Sequence, residues 1–368
     1  MKRLLHVFPS FEVGGQQMRA AVLANAMADE DVHNLILPLN GKTECLERFS
    51  SDVSFEVLAN PGGGPLPARA MRARKLLKEV RPDLLLTYNW GSIEWAMANV
   101  HPVCPQIHIE DGFGSEEAQG QLLRRVLFRR AILSRHAQVV FPSRTLRRLA
   151  RDVWKLPEAS LQYIPNGLDL SPFGKMSRQE ARKTYGLPPE ALIIGTLATL
   201  RPEKNLKRLI DAFCALEAPA HRHLVLAGSG PERSGLEAYV AEKGLKGQVS
   251  FPGYVDAPHH VLPALDIFAL SSDTEQMPLS VIEAMAAGLP VISTDVGDVA
   301  DMVGPGGRTF VTGSDTESLT RSLDKLSKDE EQRLALGREN QAVAASEFNI
   351  EGMVAAYRKL YLGDRSEP

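Results

Sequence analysis

The feature that most constrains this chain is an alternation, run twice, of short apolar stretches with helix-patterned segments. Leu4–Phe8, Leu35–Leu39, Phe55–Leu58, Leu84–Tyr88, Gln106–Ile109, Val139–Phe141 and Leu161–Ile164 read as strands. Gln16–Met27, Leu66–Val80, Ile93–Asn99, Gln119–Ser134 and Arg144–Asp152 read as the helices between them. Strands joined through helices run parallel, and their helices cover both sheet faces. Turn residues then cluster in Pro165-Asn166-Gly167-Leu168-Asp169 and Ser171-Pro172-Phe173-Gly174, which marks a junction. The pattern restarts with strands at Leu192–Leu197, Leu224–Ala227, Val249–Phe251, Ile267–Leu270, Val291–Thr294 and Thr309–Val311. Helical segments follow over Thr316–Phe348 and Met353–Tyr361. The 368 residues suffice for two such domains. The expected fold class is α/β, with Rossmann-like halves at 1–167 and 168–348 facing across a cleft. A terminal helix within 349–368 is expected to cross back to the first half.

Charge and cysteine usage narrow the function. Lys plus Arg is 42 against 45 Asp plus Glu, a net charge of −3, so no basic excess marks a nucleic-acid binder. Three widely spaced cysteines give neither a disulfide framework nor a zinc site, and a reducing cytoplasmic compartment is expected. The apolar start breaks at Pro9-Ser10, too short for a signal peptide, and no run reaches membrane-spanning length.

The strongest chemical signal lies after Ile267–Leu270. The strand ends in Ser271-Ser272-Asp273-Thr274-Glu275-Gln276-Met277, and a helix opens at Pro278. The first amides of that helix, at Leu279, Ser280 and Val281, together with its dipole form an anion site. Glu275 precedes the helix and Glu283 follows one turn in, so a phosphate there would have a carboxylate on each side. By themselves the two acids read equally as a cap and a solvated face.

This stretch resembles the E-x7-E signature of retaining glycosyltransferases of family 4, which have the GT-B fold. The resemblance extends over nearly the whole chain, in order. Ile164-Pro165-Asn166-Gly167-Leu168-Asp169 is similar to the family's inter-domain segment, and Gly195–Asn205 to its G-R-L-x-P-E-K-G loop. Leu224–Glu232 is similar to L-x-I-x-G-x-G-P-E, and Val249–Val255 to V-x-F-x-G-Y-V. The resemblance implies a nucleoside diphosphate sugar donor, probed first with UDP and GDP, and transfer of a hexose-type sugar to a glycan or lipid-linked acceptor. It implies that Glu283 accepts ribose hydroxyls, Glu275 sits at the donor sugar, and Lys204 neutralises the diphosphate. Tyr254 and Val255 would border the base, the Leu279, Ser280 and Val281 amides would hold phosphate, and Gly228 and Met277 would complete the donor site. No metal and no separate cofactor are expected. Thr199 stands at the family's loop Arg, with Arg201 two positions on as its replacement. Gln276 stands where the family has Gly.

Acid/base work is expected from the first half. Glu110 and Asp111 follow the strand Gln106–Ile109 and suit hydroxyl binding or acceptor activation, with Asp111 at the family's His position. His108 lies inside that strand. Asn89 and Trp90 end another strand and suit sugar recognition. Gly14 and Gly15 open a helix, where glycines let backbone approach an anion. The lone D-x-D, Asp29-Glu30-Asp31, reads as a solvated turn. Residues 122–155 hold ten Lys or Arg against Asp152 alone, interleaved with leucines, a pattern that suits an anionic membrane surface. Two alternatives stay open: a GT-B-fold epimerase or phosphorylase, and a non-catalytic sugar-nucleotide binder.

Overall fold

The computed structural model describes residues 1–113, 117, 120–217 and 221–363. The chain divides into two units, one of Met1–Asn166 with the residues from Met353, the other of Gly167–Gly352. The first contains β1 (Lys2–Phe8), α1 (Gly15–Ala26), β2 (Val32–Pro38), β3 (Phe55–Val57), α2 (Leu66–Val80), β4 (Leu84–Tyr88) and α3 (Ile93–Ala98). It continues through β5 (Gln106–Ile109), α4 (Leu123–Leu133), β6 (Ala137–Phe141), α5 (Arg144–Asp152) and β7 (Leu161–Tyr163). The second contains α6 (Arg178–Thr184), β8 (Leu192–Leu197), α7 (Leu206–Cys214), β9 (Arg222–Ala227), α8 (Arg233–Glu242), β10 (Val249–Gly253) and α9 (Pro258–Val261). Then come β11 (Ile267–Leu270), α10 (Leu279–Ala286), β12 (Val291–Thr294), α11 (Val299–Met302), β13 (Val311–Thr312), α12 (Thr316–Ser327) and α13 (Glu330–Glu347). The last helix, α14 (Ile350–Leu362), packs in the first unit, where Arg358 donates to the Ala26 carbonyl at 2.7 Å.

Both sheets are parallel, with orders β3-β2-β1-β4-β5-β6-β7 and β10-β9-β8-β11-β12-β13. Each chain half starts mid-sheet, builds to one edge, then returns to the other side of its first strand. That reversal opens a crevice at the strands' carboxyl ends, between β1 and β4 in one unit and β8 and β11 in the other.

The strands form because both faces are covered. In the second unit Ile193, Val225, Phe268 and Val291 join one core, while Ile194, Leu224, Ile267 and Ile292 join the other. Both faces of each strand therefore meet core, and the runs read as mostly apolar. The helical stretch 316–348 divides at Asp329, whose carboxylate accepts the Gln332 amide at 2.8 Å and starts α13 anew. The expected strand at Thr309–Val311 moves to Val311–Thr312, because a tight helical turn occupies Pro305–Phe310. Among the described residues, no helix is long and apolar enough to cross a membrane.

Candidate active site

In the second unit the β8–β11 crevice is built by backbone on backbone. Gly228 has φ 145°, and a Cβ there would lie 1.8 Å from the Ala198 carbonyl oxygen. A Cβ on Gly230 would lie 2.4 Å from the Leu200 oxygen. Side chains at either position would push the loops apart, so the G-x-G pattern is a packing requirement. The Leu200 amide donates to the Ser229 carbonyl at 2.9 Å and locks the contact. Beside it lies a cavity of about 420 Å³ lined by Thr199, Gly228, Tyr254, Val255, Leu279, Ser280 and Glu283. Burial pushes the Glu283 carboxyl up to about 7. Tyr254 is 68% exposed, so its ring is open to a planar partner.

Next to this cavity the loops after β8 and β11 are joined side chain by side chain. Lys204 Nζ meets Glu275 Oε1 at 2.6 Å, and Ser272 Oγ donates to the same oxygen at 2.7 Å. Ser271 Oγ donates to the Lys204 carbonyl at 3.0 Å. Arg208 donates to the Ser271 carbonyl at 2.8 Å and to Asp273 at 2.7 Å. Sequence reasoning missed Arg208, although its spacing four residues after Lys204 places it on the opening turn of α7. Gly297, in the Asp295-Val296-Gly297 turn after β12, has φ 57°, and a Cβ there would lie 2.3 Å from the Gln276 carbonyl oxygen. The Asp298 amide donates to that oxygen at 2.9 Å, so the loop after β12 backs the Glu275 loop.

Three expectations for this unit are corrected. The Val281 amide donates to the Pro278 carbonyl at 3.1 Å, and its side chain is buried. The tight opening turn of α10 therefore consumes it, and Leu279 and Ser280 line the cavity without Val281. The Met277 side chain is 6% exposed and belongs to the core. Arg201 points into solvent, 61% exposed and 4.0 Å from Glu203, and does not line the cavity that Thr199 lines.

In the first unit, the β1–β4 crevice brings Gly14, Gly15, Asn89 and Asp111 to the strand ends. Gly14 caps α1 with extended backbone, and a Cβ at Gly15 would meet nothing within 4 Å. Asp111 accepts from Arg19 at 2.5 and 2.7 Å and from Gln16 at 2.7 Å, and its amide donates to Asn89 Oδ1 at 2.8 Å. Arg19 also donates to Asn166 at 2.8 Å. Burial works against its charge, yet Asp111 and its neighbours hold the guanidinium above its ordinary pKa. Asp111 is thus a fixed, oriented acceptor.

Glu110 is corrected from an acceptor-activating acid to a core residue. It is wholly enclosed, 3.1 Å from His108 Nε2 and 3.6 Å from Arg129. His108 is equally enclosed and bonds Thr87 through its other nitrogen at 2.9 Å. The basic stretch 122–155 spans α4, β6 and α5, and part of its charge is turned inward. Arg129 lies inside among Trp90, Phe113 and Trp154 and pairs with Glu117 at 3.0 Å. Leu123 and Leu127 remain exposed on α4. In the D-x-D turn, Glu30 pairs with Arg358 at 3.4 Å.

Comparison with known proteins supplies the frame for this geometry. Residues 13–172 match the family described as Glycosyltransferase Family 4, and residues 177–343 match Glycosyl transferases group 1. Over 206 residues the chain is 26% identical to N-acetyl-alpha-D-glucosaminyl L-malate synthase of Bacillus anthracis, covering 56% of this chain and 54% of that protein. Over 209 residues it is 25% identical to the O-antigen biosynthesis glycosyltransferase WclY of Escherichia coli, covering 56% and 57%. The chain therefore spans about half the length of the curated relatives it matches. The crystal structure of Anabaena HepE in complex with UDP and glucose shares the GT-B fold, with a TM-score of 0.82 and 19% identity over 98% of this chain and 99% of that one. Two parallel sheets with matching crevices, and two family matches that follow one another along the chain, lead to one conclusion: the chain belongs to the group 1, family 4 glycosyltransferases.

Proposed function

We propose that this protein transfers a sugar from a nucleoside diphosphate sugar to an acceptor hydroxyl, with retention at the anomeric carbon, in polysaccharide or glycolipid assembly. The cavity beside Gly228 carries the reading, because it joins an ionisable carboxyl, an exposed aromatic ring and the first residues of α10. Glu283 accepts the ribose hydroxyls, Tyr254 and Val255 flank the base, and the start of α10 faces the diphosphate. Lys204, paired with Glu275, lies next to that diphosphate and takes up charge as it departs. The anomeric C–O bond breaks with its electron pair leaving on the diphosphate. The acceptor oxygen bonds to the same carbon from the same face, and its proton passes to a diphosphate oxygen. Support for the donor class comes from HepE, whose structure holds UDP and glucose. Support for the process comes from the O-antigen relative.

Calorimetric titration with UDP and GDP tests this reading. One of the two binds wild-type protein, and Glu283→Gln weakens it at least tenfold while the fold is retained by circular dichroism. Equal binding by the variant overturns the assignment of the ribose site. Nucleotide binding with no nucleoside diphosphate release from any donor and acceptor supports a non-catalytic binder instead.

A further inference from the structure

A second cavity, of about 450 Å³, lies in the first unit. Its lining includes Arg69, Trp90, Glu94, Arg124, Arg125 and Phe128. Trp90 follows Asn89, whose Oδ1 holds the Asp111 amide at 2.8 Å. Three guanidinium groups face a single lining carboxylate. Arg69 pairs with Glu94 at 3.0 Å, and Arg125 pairs with Glu117 at 3.2 Å while lying 4.8 Å over the Trp90 ring. Arg124 is exposed and makes no ion pair or hydrogen bond among the described residues. The Nε of Arg69 is enclosed without an acceptor. Neither α2 nor α4 has an acidic residue in its first turn, so no carboxylate on those helix starts offsets this charge. Trp90 and Phe128 meet edge to face at 5.6 Å and give the cavity an apolar wall, which strengthens charge interactions beside it.

We propose that this cavity binds the phosphate ester group of an anionic acceptor, with Arg124 as its principal cation and Arg69 as the second. Guanidinium forks match phosphate oxygens two at a time, which a lysine does not. The volume exceeds what a lone phosphate fills and leaves room for the sugar or headgroup that carries it. The proposal rests on the glycosyl-transfer reading only for calling the ligand an acceptor.

The test titrates inorganic phosphate and glucose 6-phosphate into protein already saturated with UDP, so that the donor site is occupied. Binding is followed by phosphorus NMR and calorimetry, with vesicles of phosphatidylglycerol or phosphatidylcholine in parallel. Wild-type protein binds at least one phosphate probe saturably. Arg124→Ala weakens that binding tenfold or more, and Arg69→Gln weakens it as well. Arg130→Ala, on the same helix but outside the lining, matches wild type. Arg124-dependent binding of glucose 6-phosphate supports a phosphorylated saccharide, and Arg124-dependent capture of phosphatidylglycerol vesicles supports a lipid phosphate. If no probe binds in an Arg124-dependent way, the proposal is overturned. Failure of UDP itself to bind would instead sink the donor-site reading and leave an Arg124-dependent phosphate result standing.

Discussion

At the scale of single residues, Lys204 and Glu275 pose the sharpest chemical question. Their 2.6 Å contact neutralises both charges before any ligand arrives, at side-chain exposures of 22% and 10%. On the proposed reading, a departing diphosphate would add negative charge next to this pair, and Lys204 would be shared between two anions. Removing one partner therefore has opposite consequences depending on which is removed. Lys204→Ala leaves Glu275 with Ser272 as its named donor and strips the leaving group of its cation. Loss of one such donor typically costs a factor of about 100–1000 in turnover. Glu275→Gln frees Lys204, so UDP should bind more tightly while turnover falls. Steady-state release of nucleoside diphosphate, set beside UDP titration, reads both effects. UDP affinity that falls in Glu275→Gln would contradict the shared-cation account.

At the scale of elements, the loops after β8 and β9 function as one body because two glycines let them touch. Gly228→Ala would drive a methyl into the Ala198 carbonyl at a positive φ, and a cost above about 2 kcal/mol is expected, with loss of UDP binding. Gly235 in α8 provides the contrast. Its Cβ position is open, so Gly235→Ala should leave UDP binding intact and add roughly 0.5 kcal/mol of stability. Thermal melts with and without UDP separate the two outcomes. This difference also explains what the sequence could disclose. Strands such as Leu84–Tyr88 and Ile267–Leu270 were legible to the residue, because burial on both faces writes a mostly apolar run. Gly228, Glu283 and the Lys204 loop were legible through a spacing that resembles a family. Side-chain direction was not. Glu110 and Asp111 are adjacent acids at one strand end, yet the first faces Arg129 in the core and the second faces Arg19 at the crevice. Arg129 and Arg130 likewise share one helix and divide between interior and solvent. Which neighbour faces inward follows from the sheet's pleat and the helix's rotation, and composition records neither. The total charge of −3 hides this as well, since two arginines of residues 122–155, Arg125 and Arg129, pair with the buried Glu117.

Over the whole molecule, His6 in the first unit and Glu283 in the second are both shifted far by burial, and acid should act through these two groups in opposite directions. In the first unit His6 is buried, with Nδ1 2.9 Å from the Tyr88 hydroxyl and Nε2 3.2 Å from Asn34 Oδ1. The carbonyl-type Asn34 oxygen requires Nε2 to carry the proton, which leaves Nδ1 to accept from Tyr88. Burial lowers the His6 pKa from 6.5 to about 4, against a smaller opposing effect of Asn34. The unfolded chain therefore takes up this proton first, and stability present above pH 6.5 is lost as pH falls towards 4. In the second unit burial raises Glu283 from 4.5 to about 7. Here the folded state keeps its proton longer, so stability present below pH 4.5 is lost as pH rises through 7. Through His6, moving from pH 7.5 to pH 5 should thus cost the first unit about 2 kcal/mol, and through Glu283 it should return about as much to the second. Hydrogen exchange read by mass spectrometry resolves the two. Peptides of β4 and β5 should lose protection at pH 5, after correction for the intrinsic rate, while peptides of β11 and β12 gain it. Glu283→Gln should flatten the response of the second unit alone. Saturating UDP should reverse its sign, because ribose hydroxyls favour the ionised carboxylate and draw its pKa back down. A second unit that loses protection in acid without nucleotide, as the first does, would show that Glu283 does not hold its proton in the cavity.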